Sequence, residues 1–230
     1  MKVAAVLLAG GTGSRIDSRV PKQFIDVLGK PLMIRTLEKL AASPMIEHIC
    51  ISCNHEYMSL MRDLIEKYGI TKSIDIVPGG NTGLESTFIG IKNIPDEFEA
   101  IIIHDANRPL IDDDILNDCR RVYKKHGNAV SAIKAVELTY QSTDGASSNT
   151  YLDRDSVWKT HTPQMYNRAE ALEAYEEAFK NGDPGYASTT ELYVAQGKTI
   201  FFSKSKSDNI KITYPEDLKL LEALLICKER

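Results

Sequence analysis

The feature that most constrains this chain is a regular exchange of two hydrophobic patterns along its first 136 residues. Apolar runs at 3–8, 74–77, 100–103 and 129–136, with an alternating stretch at 47–53, read as strands. Between them, 31–42, 56–68, 82–92 and 112–126 read as helices; Met58, Met61, Leu64 and Ile65 mark one face of the second. This βαβα order predicts an α/β fold, a single Rossmann-like domain over 1–230 with a mostly parallel twisted sheet flanked by helices. Runs such as Ile101-Ile102-Ile103 fit a sheet buried on both faces. Ligands of such sheets bind outside the C-terminal ends of the strands. Two informative clusters fall there, one after Leu8 and one after Ile103.

Residues 137–160 break the exchange. The stretch 143–150, TDGASSNT, is a turn-rich tip between two extended segments. It reads as a projecting β-arm at about 137–156 that contacts a partner, or as a plain surface loop. Helices are expected again at 167–182 and at 215–228, where Pro215 takes the first position. With 43% hydrophobic and 26% charged residues, the chain is neither disordered nor a disulfide miniprotein. A net charge of −4 argues against a generic nucleic-acid binder, as does the lack of aromatic residues interleaved with basic ones. Cys50, Cys53, Cys119 and Cys227 do not read as a disulfide framework, and reduced thiols in the cytoplasm are expected. The apolar start reads as a buried strand rather than a signal peptide. No stretch approaches the roughly 18 apolar residues of a membrane span.

The turn after the first strand, Gly10-Gly11-Thr12-Gly13-Ser14-Arg15, is suited to close backbone approach and to cradling phosphate. It lacks the Gly-Lys-Ser/Thr of a Walker A loop. It also has Ile16 where a dinucleotide fingerprint needs Gly or Ala. What remains is a glycine-rich turn carrying Arg15, followed by Pro21-Lys22-Gln23. Two cations beside a phosphate cradle suit a reaction whose leaving group is pyrophosphate.

These residues resemble the opening of the CTP-dependent cytidylyltransferases that act on sugar-alcohol phosphates. The resemblance continues at Gly79-Gly80…Ser86, at HDANRP (104–109), at THTPQ (160–164) and at DNIKIT (208–213), nearly end to end. It implies the nucleotide-diphospho-sugar transferase type of fold. It also implies transfer of a cytidylyl group from CTP to an alditol phosphate with release of pyrophosphate. Ribitol 5-phosphate, a precursor of cell-surface glycans, is the leading acceptor, and 2-C-methyl-D-erythritol 4-phosphate of isoprenoid synthesis is the alternative. A catalytically inactive nucleotide-binding protein on the same fold is the alternative from another class.

The attacking phosphate oxygen is already anionic, so the chemistry needs positioning and charge neutralisation rather than a strong base. By resemblance, Arg15 and Lys22 stabilise the charge developing on the phosphates. Leu8, Ala9, Gly10, Gly11 and Gly13, with Gly79, Gly80, Asn81 and Ser86, hold the CTP. Arg154 and Lys211 grip the acceptor phosphate, and Thr162 joins the acceptor site. Arg108 and Thr139 match positions that reach the acceptor from a neighbouring subunit, which implies a homodimer built through the arm. Mg²⁺ takes one or two carboxylates along with phosphate oxygens, and Asp105 and Asp208 are the candidates. From residue type alone, Asp105 also suits a turn or helix cap, and Arg154 a solvated charge.

Departures from the family pattern concentrate at the acceptor. Glu137-Leu138-Thr139 stands where the methylerythritol enzymes carry Arg-Asp-Thr, and the usual Arg after the glycine pair is replaced near Gly83. The family's Thr-Asp-Glu-Ala aligns with Ala187-Ser188-Thr189-Thr190 without a gap, or with Thr190-Glu191 after a shift. Two other signals are weaker. His48-x-Cys50-x-x-Cys53-x-His55 imitates a zinc cluster, but on a strand its members point to opposite faces. His104 is expected to be structural, because this mechanism needs no general base.

Overall fold

The computed structural model describes residues 1–11 and 21–228. The chain opens with β1 (Val3–Ala9), a short β2 (Asp26–Val27) and β3 (Lys30–Pro31) ribbon, α1 (Leu32–Ala42) and β4 (His48–Cys53). It continues through α2 (Met58–Lys67), β5 (Ser73–Pro78), α3 (Gly83–Lys92), β6 (Ala100–Asp105), α4 (Asp113–His126) and β7 (Asn128–Lys134). Then come β8 (Thr139–Gln141), β9 (Thr150–Leu152), β10 (Trp158–Asn167), α5 (Arg168–Ala178), α6 (Thr189–Ala195), β11 (Phe202–Lys204) and α7 (Pro215–Lys228).

Seven strands form one sheet in the order β11-β7-β10-β6-β1-β4-β5. All its pairings are parallel except those of β10, which runs antiparallel to both β6 and β7. The mostly parallel sheet expected from the sequence is therefore present, with one strand reversed near its middle. Alternation along the strands sorts side chains into two cores. Ala5, Leu7, Ile49, Ile51 and Ile102 pack with α1, α2 and α4 on one face. Ala4, Val6, Ile101 and Ile103 pack with α3, α5 and α6 on the other. A smaller cluster of Val27, Leu32, Leu110, Ile212 and Leu221 seats α7 against the β2–β3 ribbon.

Helix ends follow their local signals. Asp112 caps α4 by accepting from the Ile115 N–H at 3.1 Å, and Gly127, at φ 82°, closes it in the left-handed conformation. Asp113 and Asp114 lie in its first turn and Lys124, Lys125 and His126 in its last, in accord with the helix dipole. Gly90 of α3 lets the helix lie directly on Val6 of β1, whose side chain would meet any added Cβ.

β10 was not anticipated from the sequence. Pro163 lies inside it and cannot donate to a ladder. The strand accommodates it with a register irregularity between Thr160 and Gln164. The arm is a separate two-stranded ribbon of β8 and β9, with Leu138, Tyr140 and Tyr151 exposed.

The imitation zinc cluster dissolves as strand geometry requires. Cys53 packs into the first core and Cys50 into the second, and His48 Nδ1 is 3.0 Å from the Ser73 hydroxyl. Among the described residues, no group of three His, Cys, Asp or Glu converges on a metal position. All four cysteines are free thiols, and burial pushes Cys50 and Cys119 up to about 12, so they stay protonated. Among the described residues, no helix is long and apolar enough to cross a membrane.

Candidate active site

β4 and β5 follow β1 on one side, and β6 lies on the other, so the strand order reverses between β1 and β6. Such a reversal opens a crevice at the C-terminal ends of the two strands. Leu8 and Asp105 are register partners there. Two adjoining cavities open above them, of about 330 and 230 Å³. Leu8, Gly83, Asp105 and Lys211 border both. The Lys211 ammonium donates to Asp105 Oδ1 at 3.0 Å. That ion pair is the wall between two halves of one cleft.

The larger half is built mostly from backbone. Ala9, Gly10 and Gly11 form its floor beyond β1, and Gly80, Asn81, Thr82 and Gly83 bring in the N-terminus of α3. Thr82 caps α3 by accepting from the Glu85 N–H at 3.1 Å, and the Glu85 carboxylate accepts from the Asn81 N–H at 2.6 Å. Ser86 Oγ accepts from the Gly80 N–H at 3.1 Å. Gly79 stands just behind, its N–H donating to the Cys53 carbonyl at 2.7 Å. An added Cβ at Gly79 would lie 3.0 Å from Ser86 Oγ. Gln23, buried, donates to the Ala9 carbonyl at 2.8 Å, which fixes the 3-10 turn Lys22–Phe24 and places Lys22 on the cavity. A helix N-terminus, open backbone and a lysine make this half attractive to phosphate. Gly13 and Arg15, expected here, lie outside the described residues.

The smaller half is built from side chains of three distant segments. Arg108 arrives from the turn after β6, Thr160, His161, Thr162 and Gln164 from the irregular part of β10, and Ala187, Ser188 and Thr189 from the start of α6. Arg108 donates from Nε to Asp105 Oδ2 at 3.0 Å and from Nη1 to the Asn209 carbonyl at 2.7 Å. Thr162 Oγ1 accepts from the Asp105 N–H at 3.1 Å and donates to Asp105 Oδ2 at 3.2 Å. Burial alone would raise the Asp105 pKa, but Lys211 and then Arg108 outweigh it and bring it to about 2. Asp105 is therefore ionised at neutral pH.

Both nearby histidines are neutral. Burial pushes His104 down to about 4, against the favourable bond from its Nε2 to the Arg108 carbonyl at 3.1 Å. That contact supports the structural role expected of it. Burial, then Arg108 and Lys159, push His161 down to about 4. Asn209, fully buried, donates to the Thr162 carbonyl at 2.9 Å, and Asn107 donates to the Ile212 carbonyl at 2.6 Å. These two amides clamp the segment carrying Lys211 across the ends of β6 and β10.

Not every candidate residue reaches the cleft. Asp208 does not join Asp105: its carboxylate pairs with Lys228 of α7 at 2.8 Å and lines a separate cavity beside Arg35 and Pro109. The pairing with α7, far along the chain, left no local sequence signal. Arg108, matched by resemblance to a position that reaches across from a neighbouring subunit, borders the cleft of its own chain and donates to the Asn209 carbonyl there. Thr139 and Arg154 lie on the arm and border neither half. The ungapped alignment of 187–190 is the one that puts three residues on the cavity. Ala187, Ser188 and Thr189 face the cavity, whereas Glu191 accepts from the Ala187 N–H at 2.7 Å as part of the α6 cap. His161, inside the THTPQ motif but given no role from the sequence, also borders this cavity, with the irregularity beside Pro163 as its only local signal.

Backbone amides and lysines on one side, hydrogen-bonding side chains on the other and an ionised carboxylate between them make a cleft for two ligands, one rich in phosphate. That is the class the fold and site define: an α/β protein binding a nucleotide at the switch point of its sheet. The model of the family 2-C-methyl-D-erythritol 4-phosphate cytidylyltransferase (IspD) matches residues 3–227. The chain belongs to this family of cytidylyltransferases, enzymes of the nucleotidyltransferase class. A ribitol-5-phosphate cytidylyltransferase of Lacticaseibacillus paracasei is 32% identical over 99% of each chain. A 2-C-methyl-D-erythritol 4-phosphate cytidylyltransferase of Syntrophus aciditrophicus is 34% identical over 97% of this chain and 96% of that one. The solved 4-diphosphocytidyl-2C-methyl-D-erythritol synthase of Anaerococcus prevotii shares the fold, with a TM-score of 0.86 at 22% identity over 97% of this chain and 98% of that one.

Proposed function

We propose that the protein transfers the cytidylyl group of CTP to ribitol 5-phosphate, releasing pyrophosphate and forming CDP-ribitol. The observation that carries this reading is the divided cleft, with a phosphate-seeking half and a side-chain half meeting at Asp105 and Lys211. A phosphate oxygen of the acceptor attacks the α-phosphorus of CTP, a new P–O bond forms, and the bond to the β-phosphate oxygen breaks. Leu8, Ala9, Gly10, Gly11, Gly80, Asn81 and Ser86 border or brace the CTP half. Gly79 supports Ser86 from behind, and Gly13 is assigned to CTP by its place in the GGTGSR motif. Lys22 and Arg15 neutralise charge on the departing pyrophosphate. Lys211 exchanges its bond to Asp105 for the phosphate of the acceptor, and Arg108 and Thr162 bind on the acceptor side.

Asp105 suits Mg²⁺ as a single ionised carboxylate beside the triphosphate half. Asp208, tied to Lys228 in another cavity, does not fit that position as it stands. The ion, when bound, would neutralise triphosphate charge. Thr139 and Arg154 border no part of their own cleft, so a role at the acceptor requires the arm of a second copy, consistent with a homodimer joined through β8 and β9. A cytoplasmic location is part of this reading, supported by a cysteine pattern that does not read as a disulfide framework.

The alternative acceptor, 2-C-methyl-D-erythritol 4-phosphate, is favoured by the equally close Syntrophus relative. Against it, Leu138 and 187–189 depart from that enzyme's pattern, and the latter segment lines the acceptor half. Pyrophosphate release from CTP and Mg²⁺, with the two acceptors assayed side by side, tests the reading. Faster release with ribitol 5-phosphate supports it, faster release with methylerythritol phosphate moves the protein to isoprenoid synthesis, and release with neither overturns it.

A further inference from the structure

The acceptor half contains many polar side chains, but most are already engaged within the protein. Thr162 is bound to Asp105, and Thr87 Oγ1 donates to the Gly83 carbonyl at 2.8 Å. Thr189 Oγ1 is 2.7 Å from the Tyr175 hydroxyl, and Ser188 Oγ is 2.7 Å from Thr190 Oγ1. Gln164 accepts from the Tyr166 hydroxyl at 2.9 Å. His161 differs. It borders the cavity, its Nδ1 lies 3.0 Å from Ser205 Oγ, and its Nε2 has no hydrogen-bond partner among the described residues.

The hydrogen-bond chain behind the ring sets its tautomer. Asn209 Nδ2 donates to Ser205 Oγ at 3.2 Å, so the serine oxygen is already an acceptor. In the arrangement where each group in the chain donates once, the hydroxyl proton of Ser205 goes to Nδ1 of His161. A neutral imidazole accepting at Nδ1 carries its proton on Nε2. The result is an unspent N–H donor at the cavity, oriented by Ser205 and Asn209. The break in the β10 ladder between Thr160 and Gln164 is what frees this segment to present it.

We infer that His161 is a specificity-determining residue of the acceptor half, donating from Nε2–H to a hydroxyl oxygen of the polyol chain. A neutral donor matches a neutral oxygen, whereas Arg108 and Lys211 already supply cations for the phosphate. The inference rests on the proposed acceptor reading of this half of the cleft.

The test is steady-state kinetics of wild type, His161→Phe and His161→Gln with CTP, Mg²⁺ and whichever of the two acceptors wild type turns over better. His161→Phe is expected to raise the acceptor KM about 5- to 10-fold, the value of one lost hydrogen bond, with the CTP KM changed less than about twofold. His161→Gln, which restores an N–H donor, recovers most of that loss. Single-deoxy analogues of the acceptor locate the contact: for one of them the penalties of the missing hydroxyl and of His161→Phe do not add. If His161→Phe does not fold, Ser205→Ala, which releases the tautomer, is expected to raise the acceptor KM about two- to threefold. An unchanged acceptor KM in a folded variant, or additive penalties for every deoxy analogue, overturns the inference alone. No turnover of either acceptor by wild type overturns the acceptor reading and the inference with it.

Discussion

The two halves of the cleft are made of different material. The larger half, proposed for CTP, is mainly backbone, glycines and a helix N-terminus, drawn from the ends of β1 and β5 and the start of α3. The smaller half, proposed for the acceptor, is mainly side chains, drawn from β6, β10 and the start of α6. Backbone recognition tolerates changes of side chain and is hard to retune. Side-chain recognition changes with single substitutions. A family keeping one nucleotide while varying its acceptor would divide its site this way, and the relatives named for two different acceptors fit that division.

Replacing the shared wall has the largest expected effect. Asp105→Asn is expected to lower kcat/KM for both substrates by on the order of 10²- to 10³-fold. Loss confined to one substrate would break the picture of a shared boundary. Acid is expected to strike the protein beneath that boundary next. His104 is held near 4 when folded and near 6.5 when unfolded, so only the unfolded chain takes up its proton in between. Stability therefore falls as pH drops from 6.5 to 4, by at most about 3 kcal/mol from this residue. Asp105, depressed to about 2, contributes stability that is full above 4 and lost as pH falls to 2. Urea titrations of wild type and His104→Gln across pH 4–7 measure the first contribution, which should flatten in the variant.

Substitutions within one half should stay in that half. A Cβ at Gly80 meets the Glu85 side chain, which would have to release the Asn81 N–H. Gly80→Ala is expected to raise the CTP KM about 3- to 10-fold and leave the acceptor KM unchanged. Ser188→Ala removes the α6 cap beside the acceptor, at a cost of about 1 kcal/mol in stability. It is expected to raise the acceptor KM about two- to threefold with the CTP KM intact. Initial-rate measurements with each substrate varied separate the two, and crossed effects would merge the halves.

The same contrast explains what the sequence disclosed. β1 and β6 were legible as apolar runs because helices cover the sheet on both faces, and β4 as an alternating stretch. Asp112 and Gly127 marked the ends of α4 by local chemistry. The larger half of the cleft lies in short contiguous motifs, the turn after β1 and the glycine pair before α3, which stand out in the sequence. β10 was hidden by Pro163 and by a polar leading segment, and β11 and α6 are too short to show a period. Nothing local in the sequence announces the bond from Arg108 to the Asn209 carbonyl, which seats Arg108 in the cleft of its own chain. Asp208 was drawn from the same motif as Lys211, yet Lys228 takes it to another cavity.

The most direct test of the divided cleft is a crystal structure of the protein with CDP-ribitol. The account predicts cytidine against 80–86, ribitol against His161 and Ser188, and the pyrophosphate bridge beside Asp105 and Lys211. Cytidine in the side-chain half, or a product bound wholly to one side of that ion pair, would contradict it.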